Sequence, residues 1–244
     1  MDDQRTSAGS SADRVVVIIG GTSGIGAAIA ERFLDAGACV SVAGLDAQAT
    51  PSRVSSRATV VELDVTRDHA LDDLMASLPR LDVLVNTAGV IRRGAEFIPE
   101  VFTQVIEINL IGVMRACVAA RPLLAQSHGC VVNMASMLSF FGGPLVPAYT
   151  ASKGAIMQLT KSLAVAWAAD GVRVNAVAPG WIRTDLTAGI RDDEAAERRI
   201  LERTPMRRWG EPADVAGAVA FLAGPDAAFI TGVVLPVDGG YLAN

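Results

Sequence analysis

Tyr149 and Lys153 stand four residues apart, and Ser136 lies thirteen residues upstream of the tyrosine. In a helix, residues i and i+4 share a face, so a single turn would bring the phenol and the amine together. Composition isolates the pair: the chain has two tyrosines, Tyr149 and Tyr241, and two lysines, Lys153 and Lys161, against nineteen arginines. Arginine stays charged at any working pH, whereas surroundings can move the pKa of a lysine ammonium. A phenol, an amine and a hydroxyl in this spacing form an acid–base device. Free tyrosine titrates at about 10, and a cation within about 4–6 Å favours its phenolate form. Lys153 is therefore expected to draw Tyr149 down, leaving Tyr149 to exchange a proton with a bound molecule whose oxygen Ser136 holds in place.

The surrounding elements suit that task. Val15 to Ile19 is a β-branched run without alternation, the mark of a strand buried on both faces. Gly20-Gly21-Thr22-Ser23-Gly24-Ile25-Gly26 follows, leading into an Ala-rich helix over Ala27 to Ala36 that stops at Gly37. Glycines in such a strand–turn–helix unit let the backbone approach a pyrophosphate, and the helix start offers free N–H groups to it. A dinucleotide would bring hydride chemistry, which needs a proton partner of the Tyr149 kind. Strands and helices then alternate. The expected strands are Cys39 to Ala43, Thr59 to Leu63, Asp82 to Val85, Cys130 to Met134, Val172 to Ala178 and Gly232 to Val237; the helices are Arg67 to Leu78, Val101 to Gln126, Pro147 to Ala169 and Pro212 to Ala223. The third of these helices follows a loop over Ser136 to Pro147 and carries Tyr149 and Lys153 through to Ala169. This order predicts an α/β fold, a single-domain, Rossmann-type doubly wound sheet over residues 14–244 with helices on both faces. Ligands in such sheets bind beyond the carboxyl ends of the strands. Residues 1–13 lack periodicity and read as a mobile tail. The polar stretch 184–208 reads as a substrate loop.

The totals narrow the class. With 244 residues, 51% of them hydrophobic, one domain with a large core is expected. A net charge of −5 offers no footprint for nucleic acid. No apolar run reaches the length of about 18 residues that a membrane span needs, and the first residues carry no signal pattern, so a cytoplasmic protein with neither membrane nor nucleic-acid partners is expected. Cys39, Cys117 and Cys130 show no metal-type spacing and read as small core hydrophobes; no metal site is expected. His69 and His128 read as surface residues.

With these residues in hand, the chain resembles the short-chain dehydrogenase/reductase family over nearly all of residues 14–244. The likeness is carried by Gly20-x-x-x-Gly24-Ile25-Gly26, Asp64-Val65, Asn86-x-Ala88-Gly89, Asn109, Ser136, Tyr149-x-x-x-Lys153 and Pro179-Gly180 with Thr184. It implies about seven parallel strands and a catalytic tetrad of Asn109, Ser136, Tyr149 and Lys153, in which Asn109 ties a water to the lysine. It also implies a homotetramer, and helical stretches 110–125 and 155–168, apolar around much of their circumference, agree with a second buried face. The dinucleotide contacts it implies are Gly20, Thr22, Ser23, Gly24, Ile25, Gly26, Leu45, Asp64, Val65, Asn86, Ala88, Gly89, Tyr149, Lys153, Pro179, Gly180, Ile182 and Thr184.

Two departures bear on the cofactor loop: Ile19 stands where the family usually has Thr, and Thr87 where it has Asn. Ile19 removes a polar tether, while Thr87 keeps a hydroxyl able to bond the backbone. At the end of the second strand, the acidic residue that selects NAD would fall at Gly44 and the arginine that selects NADP at Leu45. Neither is present, and Leu45 with nearby Asp46 favours NAD over NADP unless Arg53 or Arg57 folds back. The reaction so implied is NAD(P)-dependent interconversion of a secondary alcohol and a ketone. Within the family the likeness is to sugar-acid dehydrogenases of the 2-dehydro-3-deoxy-D-gluconate 5-dehydrogenase and gluconate 5-dehydrogenase type. It runs through Ala88 to Arg93, Ala135 to Phe140, Val146 to Lys153, Arg208-Trp209-Gly210 and Val237 to Leu242. Arg92 and Arg93 could meet a small-molecule substrate's carboxylate bidentately. Ser136, Leu138 and Tyr149 would contact the substrate, with Met137, Phe140 and Phe141 as apolar wall. The alternatives are an NADPH-dependent reductase of 3-oxoacyl thioesters or small ketones, and a silent dinucleotide sensor, against which the complete tetrad speaks.

Overall fold

The computed structural model describes residues 14–244; the reading of residues 1–13 as a tail lies outside them. Seven strands form one parallel sheet: β1 Val15–Ile19, β2 Cys39–Gly44, β3 Thr59–Glu62, β4 Val83–Asn86, β5 Cys130–Met134, β6 Arg173–Pro179 and β7 Val234–Val237. Their spatial order is β3-β2-β1-β4-β5-β6-β7. The order reverses between β1 and β4, which creates the crevice at the carboxyl ends where such sheets bind ligands.

The unbroken β-branched runs are explained by two-sided burial. In β1, Val17 and Ile19 enter one apolar cluster while Val16 and Ile18 enter the other. Helices α1 (Gly24–Asp35) and α6 (Pro212–Ala223) cover one face. The other is covered by α2 (Ala70–Ala76), the helical run α3 (Pro99–Ser127) and α4 (Pro147–Trp167). Helix α5 (Glu194–Arg203) lies in the insertion between β6 and α6.

Two sequence expectations are corrected. Cys39 is exposed, because it opens β2 at the end of the sheet remote from the crevice, whereas Cys117 and Cys130 are buried as expected. Helical run α3 is 29 residues long and contains an 18-residue stretch with a mean hydropathy of 1.5, enough in length and composition to cross a membrane. It packs Val113, Ala116, Cys117, Ala120 and Leu124 into the sheet and pairs Arg115 with Glu107 on its outer side, as the core helix of a globular fold does. His69 and His128 lie on the surface.

The insertion is held at both ends. Thr184 and Thr187 form a reciprocal cap, and Ile182 bridges Gly210. Trp209 is buried edge-on against Trp181 at 5.8 Å, and its indole N–H donates to Glu197 at 3.0 Å.

Candidate active site

The glycine turn is built for close approach of a ligand. Gly20 has φ +85°, and a side chain there would run into the backbone of Ala88. A Cβ on Gly26 would collide with the Gly20 carbonyl and lie 2.7 Å from the Thr87 hydroxyl. Thr87 donates to the Ile19 carbonyl at 2.9 Å, so its hydroxyl supplies the brace that Ile19 lacks. Ser23 precedes α1 without making a side-chain cap, which leaves the first N–H groups of the helix directed at the crevice. This cradle fits the pyrophosphate of a dinucleotide.

The acid–base group sits at the other side of the crevice, and each member is tied down. Helix α4 starts at Pro147, a residue suited to the first helical turn, and one turn places Tyr149 beside Lys153. The lysine ammonium lies 5.5 Å from the centroid of the Tyr149 ring and donates to the Met134 carbonyl at 2.6 Å. Ser136 caps a short turn, accepting from the Leu138 N–H at 3.1 Å, which leaves its own hydroxyl hydrogen to donate. Ser139, in the same turn, donates to the Lys153 carbonyl at 2.6 Å and so fixes the Ser136 turn against α4.

Asn109 is fully buried in a π-helical turn of α3, Glu107–Ile111, a local widening that often marks functional positions. Its amide clasps Val90, accepting from its N–H at 2.8 Å and donating to its carbonyl at 2.9 Å, and it also donates to Ser152 at 3.3 Å. Glu96 makes a parallel link: its carboxylate, 1% exposed, accepts the N–H of Arg92 and the N–H of Tyr149, each at 2.8 Å. The loop after β4 is thereby bound to the start of α4.

Burial sets the electrostatics. The Lys153 pKa falls from 10.5 to about 8 because desolvation penalises the ammonium. Tyr149 is pushed above its ordinary value, chiefly by burial; a hydrogen bond with Ser136 opposes this and the Glu96 charge adds to it. The expectation that Lys153 draws the phenol down is therefore not met. Desolvation of the phenol dominates, and the lysine donates to the Met134 carbonyl. Asp64 is held below the usual carboxylate range by the backbone N–H and then the hydroxyl of Thr66, at 2.9 and 2.7 Å.

One cavity of about 740 Å³ joins these parts. Its wall contains Gly20, Thr22, Ser23, Gly24, Ile25, Gly26, Leu45, Asp64, Val65, Ala88, Gly89, Pro179, Gly180, Ile182 and Thr184 on the cradle side. Ser136, Tyr149, Lys153, Arg93, Met137, Leu138 and Phe141 continue it. Four expected site residues lie off this wall, among them Asn109, which is buried behind it with its amide bonded to Val90. Asn86 faces the interior, donating to Asn133 at 2.9 Å and to the Cys117 sulfur at 3.4 Å, because β4 is buried along its whole length. Arg92 points outward, held through its backbone by Glu96, and Phe140 is exposed at 47%. Arg53 and Arg57 do not fold back: they pair with Glu31 and Asp35 at 2.8 and 2.7 Å. Sequence reasoning missed Glu96, Arg203, Trp181 and Tyr241. Tyr241, one of only two tyrosines, carried a signal; Glu96 and Arg203 carried none among so many charged neighbours.

Comparison with known proteins agrees with this geometry. Residues 20–242 match the family model described as enoyl-(acyl carrier protein) reductase. The chain is 39% identical over 247 residues to 2-dehydro-3-deoxy-D-gluconate 5-dehydrogenase of Bacillus subtilis, covering 95% of both. It is 40% identical to cis-4-hydroxycyclohexanecarboxylate dehydrogenase of Sinomonas cyclohexanicum, over 95% of this chain and 98% of that one. A solved Agrobacterium tumefaciens structure, provisionally assigned as a 2-deoxy-D-gluconate 3-dehydrogenase and containing bound NADP, superposes with a TM-score of 0.88 at 40% identity, covering 95% of this chain and 97% of that one. The chain belongs to the short-chain dehydrogenase/reductase family, as an NAD(P)-dependent oxidoreductase acting on CH–OH groups.

Proposed function

We propose that this enzyme interconverts a secondary alcohol and a ketone on a small sugar acid or related hydroxy acid, with Tyr149 as the proton-transfer residue. The observation that carries the reading is that Tyr149, Ser136 and Lys153 share one cavity wall with the glycine cradle. The cradle would hold a nicotinamide dinucleotide through Gly20 to Gly26, Asp64 and Ala88–Gly89, and that group supplies or accepts the hydride. Ser136 donates its hydroxyl hydrogen to the substrate oxygen and fixes the carbon for transfer. In reduction, the protonated phenol of Tyr149 gives its proton to that oxygen; in oxidation, the phenolate takes it back. Lys153 places a cation beside the phenol and stabilises the phenolate when it forms. Asn109 holds Val90 and with it the wall next to the lysine; a water bound between Asn109 and Lys153 would complete the proton path.

Support for the substrate class comes from the two curated relatives, one acting on a gluconate and one on a hydroxy carboxylate, and from Arg93 on the cavity wall. We assign NAD as the preferred cofactor. Leu45 is exposed at the end of β2, Asp46 is acidic, and the arginines of the cavity wall, Arg93 and Arg203, are both remote from it in sequence. The competing reading, NADP, is favoured by the Agrobacterium structure. A homotetramer in the cytoplasm completes the proposal; exposed Val118 and Val165 on α3 and α4 suit a subunit interface. The test is a panel of sugar acids, cyclic hydroxy acids and acyl thioesters, each with both dinucleotides, followed by nicotinamide absorbance. Highest kcat/KM on a sugar acid with NAD is expected; preference for a thioester, or for NADP, would overturn the corresponding part.

A further inference from the structure

Arg203 closes α5, inside the insertion, and its side chain forms part of the cavity wall. Its guanidinium carbon lies 4.2 Å from the centroid of the Tyr241 ring and 5.1 Å from that of Phe141. The two rings stack on each other, 6.0 Å apart and 24° from parallel. Three segments distant in sequence, the loop after β5, the insertion and the C-terminal turn, thus converge to orient one cation. Ring faces attract a guanidinium without consuming its N–H donors. Among the described residues no carboxylate pairs with Arg203, whereas Arg183 and Arg208, at the two ends of the insertion, are paired with Glu211 and Asp214. An oriented cation with its donors free, on the same wall as a proton-transfer phenol, complements a molecule carrying a carboxylate at one end and an alcohol or ketone at the other.

We propose that Arg203, held by Tyr241 and Phe141, binds the substrate carboxylate and so decides which end of a hydroxy acid reaches Tyr149. This deepens the sugar-acid reading and rests on it. Arg203 is thus a specificity-determining residue. Its side chain is open to solvent, so the ion pair competes with water and its effect is moderate.

The test compares wild type, Arg203→Met and Tyr241→Leu on the sugar acid that wild type turns over best and on the uncharged amide of that acid. Wild type should prefer the acid by about tenfold or more in kcat/KM, and Arg203→Met should lower that preference by about tenfold. Tyr241→Leu, which withdraws the ring but keeps the cation, should lower it by about threefold. A merely structural role would depress both substrates together and leave the ratio intact. If wild type prefers the acid and Arg203→Met keeps the preference, the Arg203 assignment is overturned while the sugar-acid reading stands. Should wild type take the amide as readily as the acid, or no sugar acid at all, both fall. If Arg203→Met fails to bind dinucleotide, Tyr241→Leu decides the matter by the same ratio.

Discussion

Lys153→Met should make the folded protein more stable while removing activity. The lysine is 3% exposed, and desolvation lowers its pKa from 10.5 to about 8. At about 1.36 kcal/mol per unit, the buried ammonium costs the folded state about 3 kcal/mol near neutral pH. Loss of the 2.6 Å hydrogen bond to the Met134 carbonyl returns about 1 kcal/mol of that, so a net gain of about 2 kcal/mol is expected. Methionine keeps most of the lysine stem's volume and leaves little cavity. The sign with pH follows from proton binding. Between pH 8 and 10.5 the unfolded chain holds the lysine proton more tightly than the folded one, so wild-type stability rises with pH through that window, and the penalty is fully present below it. The variant's advantage should therefore be constant below pH about 8 and shrink toward 10.5. Cys117, raised by burial to about 12, makes folding less favourable at high pH, but it acts in both proteins and cancels in the difference. Urea denaturation of both proteins at matched concentration, at pH about 7 and about 10, measures it. A variant no more stable than wild type at neutral pH, or an advantage that does not shrink with pH, would refute the reasoning.

Two further outcomes follow from the same site. Because burial raises the Tyr149 phenol, ketone reduction should proceed at full rate at neutral pH, whereas alcohol oxidation should climb with pH beyond the ordinary tyrosine value of 10.0; an oxidation rate that levels off near neutrality would contradict this. Glu96→Gln leaves either the Arg92 or the Tyr149 N–H facing an amide donor and should cost about 2 kcal/mol of stability by denaturation. Removing its charge should also shift the fall of the reduction profile to lower pH, since Glu96 helps to raise the phenol; an unmoved profile would limit Glu96 to a structural part.

Much of this was legible in the chain because it depended on local pattern. A β-branched run ending in glycines fixes β1 and its turn, and the four-residue spacing of Tyr149 and Lys153 places two groups on one face whatever surrounds them. What escaped depended on partners far away in sequence. Glu96 gains its meaning only when α4 packs over it, and Arg203 only when Phe141 and Tyr241 arrive from other segments. The pKa of Tyr149 was misjudged for the same reason: spacing reveals the neighbouring lysine, whereas the depth of burial belongs to the assembled fold. Asn86 was read from its place at the end of β4, but its register with Asn133 turns it into the sheet's own polar pair.

The claim on which the rest stands is proton transfer by Tyr149, and Tyr149→Phe tests it most directly. The substitution keeps the ring under Lys153 and removes only the hydroxyl. Measured side by side, dinucleotide binding should remain within about threefold of wild type, while kcat on every accepted substrate falls by about 1,000-fold. Turnover by Tyr149→Phe at the wild-type rate would contradict the central role given to this residue.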